Sequence, residues 1–372
     1  MYDGPIPLAA EVERVPSMRV SLDAAGEARF QRLMAGLVLV DLHQHPVVLP
    51  ADPARFREYL CGDRFRWGFE AVRAGGWTAV CTANAFRAAA RSGDMSFVDF
   101  DDLVDELAEM LGDMRAAAPA VALVSDAGGI EAAQARGAVA FLPTLEHLGI
   151  GHDLRRLDLL YAMGVRLAGL TYAKRNLLGD GLLERTDAGL SDLGVAVIER
   201  MNDLGMAVDL SHAGHATALE AIACSRAPVV FSHNAAYTLR PTRRTRTDEE
   251  LLACAAKGGL IAITAVPNSL SDDPGQDITC VLDHYDYMVR LVGVEHVAIG
   301  TDTLIGDHVG YHRVMMGRAD DAAFPAPYLN GLESPADGAN IVRGLIVRGY
   351  DDGQIRAIAG GNALAYLRRV LK

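Results

Sequence analysis

The chain has 372 residues, a formal net charge of -13 and a pI near 5.3, with 50% hydrophobic and 6% aromatic residues. This composition is typical of a globular protein with a large core. The acidic balance excludes non-specific nucleic-acid binding, because a phosphate-binding face needs net basic charge. We therefore expect a small-molecule partner and no nucleic acid.

The N-terminal residues and the cysteines bear on location. The first twenty residues have no basic segment followed by an uninterrupted apolar run, so they do not resemble a signal peptide. No apolar stretch reaches the roughly 18 residues that span a bilayer. The five cysteines are widely spread and form no C-x-x-C pair, which favours a reducing compartment. These features predict a cytoplasmic protein with no membrane partner.

Short apolar runs alternate with amphipathic helical segments along most of the chain. The runs that we predict as strands are residues 36–45, 78–85, 138–146, 165–172, 206–212, 227–234, 259–266 and 296–302. They are nearly continuous in hydrophobicity, as expected for parallel strands buried on both faces. Eight such strands predict an α/β fold, a single (β/α)8 TIM barrel.

The remaining segments fit one domain over residues 1–372. We expect an N-terminal extension over residues 1–35, a long loop over the mouth of the barrel at 303–340, and closing helices at 341–372. The segment after the sixth strand predicts a helix with Thr247 as its N-cap and Glu250 three residues later.

Polar residues with metal-binding chemistry fall at the C-terminal ends of five predicted strands. They are His43, His45, Glu146, His212, His233 and Asp302. In a (β/α)8 barrel these ends meet on one face, where active sites lie. Imidazole nitrogens and carboxylate oxygens suit Zn²⁺ or a similar divalent ion. The pattern predicts a barrel of the metal-dependent hydrolase type.

Several residues have structural alternatives. A single histidine at a strand end is more often structural than a ligand, and Asp302 could be a helix cap. Lys174 follows the fourth strand, where a carboxylated lysine could bridge two metals, but it lies two residues past the strand end. His308 and Tyr311 lie in the predicted loop close enough to Asp302 to contact a substrate. Most of the other histidines are expected to be exposed.

The motifs around these residues resemble those of a known family. They include DLHQHP, the glutamate of TLEHLGIG, MGVRLAGLTY, MNDLGMAVDLSH, APVVFSHNAA and GVEHVAIGTD. Together they resemble the membrane dipeptidase (renal dipeptidase) family, peptidase family M19 of the amidohydrolase superfamily, from the first strand to the C-terminus.

The resemblance implies two divalent metal ions, with Zn²⁺ as the expected ion. By position, His43 and His45 would bind the first ion and Glu146 would bridge both. His212 and His233 would hold the second.

The resemblance also implies roles for a carboxylate and an arginine. Asp302 would handle the proton of the attacking water, and Arg244 would bind the substrate carboxylate. Because Arg240, Arg243 and Arg246 lie close by in the sequence, the position of that arginine stays open by a few residues.

Two positions depart from the family pattern. His45 stands where the family has an aspartate, so the first ion would gain a neutral ligand in place of a carboxylate. Tyr172 stands where the family has a histidine that contacts the tetrahedral intermediate. A phenol can donate one hydrogen bond but does not become a cation near neutral pH.

The expected reaction is therefore metal-dependent hydrolysis of a dipeptide or a similar small amide, with Asp302 and Tyr172 as catalytic residues. Arg244, Tyr172 and His308 are the expected substrate-binding residues. Three alternatives stay open: an N-acyl amino acid amidohydrolase, a metal-dependent decarboxylase, and a metal-binding barrel without catalysis. The resemblance also makes a homodimer plausible.

Overall fold

Eight parallel strands close into a barrel in the computed structural model, which describes residues 4–62, 64–315 and 324–372. The strands in this part of the chain are β1 (Val40–Val48), β2 (Ala79–Asn84), β3 (Val121–Leu123), β4 (Val139–Leu145), β5 (Leu167–Gly169), β6 (Ala207–Asp209), β7 (Val230–Asn234), β8 (Leu260–Ile263), β9 (Val297–Ile299) and β10 (Leu304–Ile305). All except β3 and β10 form the ring, which β1 closes by pairing with both β2 and β9. The predicted TIM barrel is confirmed.

Each predicted strand overlaps one strand of the ring, and two short strands were not predicted. β3 pairs with β4, and β10 pairs with the end of β1 through Val48 and Ile305. These strands have three and two residues, too few to show a hydrophobic pattern. β1 continues beyond the predicted end at residue 45, because its last residues pair with β10.

Helices surround the ring and follow most of its strands. They are α1 (Ala24–Met34), α2 (Phe56–Leu60), α3 (Phe69–Ala74), α4 (Phe86–Ser92), α5 (Phe100–Ala116), α6 (Ala127–Ala135), α7 (Arg155–Ala162), α8 (Asp192–Leu204), α9 (His215–Cys224), α10 (Asp248–Ala256), α11 (Ile278–Val292), α12 (His308–Met315), α13 (Ala339–Val347), α14 (Asp352–Arg356) and α15 (Asn362–Val370). The predicted N-cap of α10 is confirmed, since Thr247 and Glu250 form a reciprocal capping box. In the described part of the chain, no helix has the length and apolar character needed to cross a membrane.

The segment predicted as a loop at 303–340 contains regular structure in its described part. β10 and α12 both lie in it, and Asp307 accepts a hydrogen bond from the backbone N–H of Gly310 in the first turn of α12. Residues 316–323 lie outside the described residues. The Gly, His and Tyr content of this segment suggested a loop, but pairing with β1 and the aspartate before α12 favour local order.

The N-terminal segment packs against the C-terminal part of the chain. Arg14 forms an ion pair with Glu333, and the backbone N–H of Val20 donates to Asn340. Arg343 in α13 donates to the carbonyl of Val20. These contacts fix the segment before α1 beside the loops that follow the last strands.

Candidate active site and metal centre

The predicted metal-site residues converge at the C-terminal end of the barrel. His43 and His45 lie in β1, Glu146 follows β4, His212 follows β6, His233 lies in β7 and Asp302 follows β9. Glu146 is central, because its Oε1 lies 3.1 Å from Nε2 of His212 and 3.9 Å from Nε2 of His43. The barrel thus joins residues that are far apart in sequence.

Asp302 lies on the other side of the same cluster. Its Oδ1 is 3.0 Å from Nε2 of His45 and 3.6 Å from Nε2 of His43. The Nε2 atoms of His212 and His233 lie 2.9 Å apart. All five imidazole and carboxylate groups in these contacts are buried.

The donor atoms form two groups that share Glu146 and could hold metal. One group is His43, His45, Glu146 and Asp302, and the other is Glu146, His212 and His233; the donor atoms of each group lie within 4.8 Å of one another. Nε2 of His43 is buried and has no hydrogen-bond partner among the described residues. Such a buried lone pair and a mixed N/O donor set fit a divalent ion such as Zn²⁺.

Burial keeps three of the histidines neutral. It lowers the pKa of His43 to about 3 and holds the pKa values of His212 and His233 well below their ordinary range. A neutral imidazole keeps the lone pair that coordinates a metal. These three side chains are therefore already in the protonation state that binding requires.

His45 and Asp302 form a buried pair of opposite charge. Burial opposes the charge on His45, but the hydrogen bond to Asp302 and the charge of Glu146 raise its pKa to about 9. Burial also opposes the charge on Asp302, yet the hydrogen bond from His45 and the charge of that imidazole hold its pKa well below the ordinary range. Burial raises the pKa of Glu146 to about 7. An ion bound at His45 must displace its proton.

Hydrogen bonds at Nδ1 orient two of the imidazoles. His45 donates from Nδ1 to the carbonyl of Ala83 at 2.9 Å, and Nδ1 of His233 lies 2.8 Å from Oγ of Ser232. Ser232 in turn donates to Asp209. These contacts direct the Nε2 atoms toward the centre of the cluster, as partners of metal-ligating histidines commonly do.

Two phenols lie beside the cluster. The ring of Tyr172 stacks on His212 with centroids 4.2 Å apart, and its hydroxyl lies 3.8 Å from the sulfur of Met95. The hydroxyl of Tyr311 in α12 lies 3.6 Å from the same sulfur. A thioether is a weak acceptor, so both buried donors can engage a stronger acceptor in a substrate.

The four neighbouring arginines differ in their contacts. Arg244 donates to the carbonyls of Ser211 and His233, each at 2.9 Å, and its Nη2 lies 3.9 Å from Asp302. It faces the same cavity as the metal-site cluster.

Arg246 is held inside the protein. It pairs with Glu250 at 2.8 Å and also donates to Asn234 and to the carbonyl of Ser211. The side chains of Arg246 and Glu250 are each only 2% exposed. Arg246 therefore has a structural role, whereas Arg240, Arg243 and Arg244 line the cavity.

A cavity of about 330 Å³ opens over the cluster. Among the predicted site residues, its walls include His45, Glu146, Tyr172, His212, Arg244, Asp302 and His308. His308 is buried in α12 and stacks on His312 with centroids 4.7 Å apart, and burial lowers its pKa to about 4. It therefore faces the site as a neutral imidazole.

Some residues lie where the sequence did not place them. His147 and His284 are buried rather than exposed, and Nδ1 of His284 accepts a hydrogen bond from the backbone N–H of Ala236. Both ring nitrogens of His147 lack a hydrogen-bond partner in the described part of the chain. Lys174 is 56% exposed and pairs with Asp94, outside the candidate metal groups. The sequence signal for burial of His147 was its position just after an apolar strand. Nothing in the sequence indicates that Met95 contacts the site.

Comparison with curated proteins finds dipeptidases. "Dipeptidase aclJ" of Aspergillus oryzae is 31% identical over 222 residues, covering 59% of this chain and 48% of that protein. "Dipeptidase 3" of Mus musculus is 27% identical over 275 residues, covering 71% of this chain and 51% of that protein. The chain thus spans about half the length of the curated relatives that it matches.

Comparison with solved structures finds the same fold. An amidohydrolase from Pseudomonas aeruginosa superposes with a TM-score of 0.77 at 24% identity, covering 92% of this chain and 98% of that one. A metallo peptidase from Rhodobacter sphaeroides, liganded with a phosphinate mimic of L-Ala-D-Ala, gives a TM-score of 0.71 at 19% identity, with 90% and 99% covered. Residues 27–372 match the sequence model of a protein family described as "Membrane dipeptidase (Peptidase family M19)". The chain belongs to the membrane dipeptidase family, peptidase family M19.

Proposed function

We propose that this protein is a zinc-dependent hydrolase that cleaves dipeptides or similar small amides. The observation that carries the proposal is the convergence of four histidines and two carboxylates in one buried cluster. Its members His45, Glu146, His212 and Asp302 line a cavity that also has the anchored Arg244 in its wall. Membership of a dipeptidase family supports the same reaction.

We infer that the chain holds two divalent ions. His43, His45 and Glu146 would bind the first ion, and Glu146, His212 and His233 would bind the second. Bound divalent ions lower the pKa of water to about 7 and polarise a carbonyl group, which supplies a nucleophile and an electrophile near neutral pH.

Asp302 is the proposed proton carrier. Its low pKa keeps it ionised, so it can accept a proton from the attacking water and pass it to the leaving amine. Its Oδ1 lies 3.0 Å from Nε2 of His45, the nitrogen that would bind the first ion, so the carboxylate lies beside the position of that ion. The less constrained oxygen, Oδ2, lies at least 3.8 Å from His233 and Arg244.

Tyr172 and Arg244 are the proposed substrate contacts. The Tyr172 hydroxyl would donate to the oxygen that gains charge when the amide carbonyl is attacked. Burial raises the pKa of Tyr172 well above its ordinary range, so the phenol keeps its proton. Arg244 would pair with a terminal carboxylate, which selects short substrates with a free C-terminus. His308 would contact the substrate as a neutral imidazole.

Metal analysis and a substrate panel test this proposal together. Protein purified without chelator and supplemented with zinc should hold two ions per chain and cleave L,L- or L,D-dipeptides. Cleavage of N-acyl amino acids alone would favour the amidohydrolase alternative. One firmly held ion without hydrolysis would favour a decarboxylase, and no turnover with two ions would favour a barrel that has lost catalysis.

A further inference from the structure

The charge lining the cavity is opposite in sign to that of the chain. The protein has 48 acidic and 35 basic residues, yet the described residues that line the cavity include three arginines and two carboxylates. Both carboxylates, Glu146 and Asp302, belong to the proposed metal and proton-transfer groups. With cations bound at these acids, the remaining charged side chains among the described lining residues are the three arginines. Such a wall attracts an anionic substrate inside an otherwise acidic protein.

The three arginines lie on one short, well-ordered loop. We call residues 240–246, between β7 and α10, the arginine loop. The buried hydroxyl of Thr245 contacts the carbonyls of Arg240 and Thr242 at 2.7 and 2.8 Å. The backbone N–H of Arg246 donates to the carbonyl of Ala235, which ties the loop to the end of β7. These bonds fix the backbone of the loop before a substrate arrives, so the backbone adds little ordering cost on binding.

The arginines of the loop differ in how many of their guanidinium nitrogens have hydrogen-bond partners in the protein. Arg246 uses all three guanidinium nitrogens in contacts to protein atoms. Arg240, by contrast, has a buried Nε without a hydrogen-bond partner among the described residues. Its ion-pair partner, Asp272, is 81% exposed, and such surface pairs contribute little. Arg240 therefore keeps binding capacity that the fold does not use.

Arg243 adds charge beside Arg240. Its Nη1 donates to the carbonyls of Leu183 and Glu184, and this exposed side chain lines the cavity. Neutral carbonyls leave its charge uncompensated by these contacts. Arg243 thus strengthens the positive potential at the arginine loop.

We propose that Arg240, supported by Arg243, binds a second carboxylate of the substrate, so that the site prefers dipeptides with a C-terminal aspartate or glutamate. This inference rests on the proposed function. Arg244 would hold the α-carboxylate, and the side-chain carboxylate of the same residue would pair with Arg240 four positions earlier in the loop. Both carboxylates then belong to the C-terminal residue of the substrate, which suits recognition by two arginines on one short loop.

Matched substrates test the preference directly. In the zinc-supplemented protein, kcat/KM for Ala-Asp should exceed that for Ala-Asn, and kcat/KM for Ala-Glu should exceed that for Ala-Gln, by about 10- to 100-fold. The members of each pair differ in charge but hardly in size. Asp-Ala and Asn-Ala place the same difference on the N-terminal residue and should be cleaved at similar rates.

Variants then locate the preference. Arg240→Gln should remove most of the advantage of Ala-Asp while leaving kcat/KM for Ala-Asn nearly unchanged, and Arg243→Gln should reduce it less. Arg185→Gln is the matched control, because Arg185 is exposed and lines a neighbouring surface cavity instead. Thermal unfolding of each variant checks that the fold is kept.

Several results would overturn the inference. Equal kcat/KM values for Ala-Asp and Ala-Asn in the wild-type protein would exclude a second anion site for the C-terminal residue. A preference for Asp-Ala over Asn-Ala alone would mean that the site recognises the N-terminal residue of the dipeptide instead. Equal loss on both substrates in Arg240→Gln would make this residue structural. Without any dipeptide cleavage, the proposed function fails, but calorimetry with free aspartate and asparagine still decides whether Arg240 favours the second carboxylate.

Discussion

Asp302→Asn removes the charge of the proposed proton carrier while preserving its size. The backbone of Asp302 has φ of +57°, in the left-handed region that asparagine tolerates better than most residues. Alanine would cost about 1–2 kcal/mol in backbone strain at such a position. Asparagine therefore isolates the chemistry from the fold.

We expect a large loss of rate in this variant. Removing a general acid–base group costs about 10²- to 10⁴-fold in kcat, which corresponds to about 3–5 kcal/mol of transition-state stabilisation. The amide can still lie beside His45, where Oδ1 of the carboxylate now lies 3.0 Å from Nε2. Metal content and unfolding temperature should change little if Asp302 acts as a proton carrier.

The assay pairs turnover with elemental analysis on the same preparations. Asp352→Asn is the control, because this carboxylate is 55% exposed and lies outside both the metal groups and the cavity wall. Asp302 shares a possible ligand group with His43, His45 and Glu146. A loss of metal in proportion to activity would therefore make Asp302 a ligand, and full activity would mean that another group moves the proton.

The remaining predictions concern the framework of the site. Glu250→Gln should lower the free energy of unfolding by about 3–5 kcal/mol in denaturant, because it leaves buried Arg246 without its counter-charge. Adding Arg246→Met should recover part of this loss. Strictly additive effects of the two substitutions on the free energy of unfolding would refute the pairing. A Cβ at Gly300 would lie 1.7 Å from a carbonyl oxygen of β7, so Gly300→Ala should lower both stability, by about 1–3 kcal/mol, and metal content. Gly112→Ala, where a Cβ meets nothing within 4 Å, should do neither. Burial raises the pKa of Glu106 from 4.5 to about 7, so its contribution to stability is full below pH 4.5 and is lost as the pH rises through 7. Glu106→Gln should flatten that decline, and an unchanged pH profile of the unfolding free energy would contradict it.

The barrel could be predicted because its signal is carried by whole strands. Eight apolar runs of seven to ten residues follow one another along the chain, and five of them end in residues whose chemistry fits a metal site. β3 and β10 could not be predicted, because two or three residues carry no period. α12 was missed for a related reason: its Gly, His and Tyr residues suggest a loop, while Tyr311 is buried against Phe56 and Phe86.

The arginines mark the limit of sequence reasoning at this site. Arg240, Arg243, Arg244 and Arg246 have the same side chain within seven positions, so spacing cannot separate a substrate contact from a structural residue. Their hydrogen-bond partners in the structure do separate the two roles. Glu250 pairs with buried Arg246, but the sequence identified Glu250 only as a capping residue. One carboxylate both caps α10 and neutralises Arg246. The start of α10 therefore holds the end of the arginine loop. Arg246, whose carboxylate partner is buried with it at 2.8 Å, is turned into the protein, whereas Arg240, Arg243 and Arg244 line the cavity.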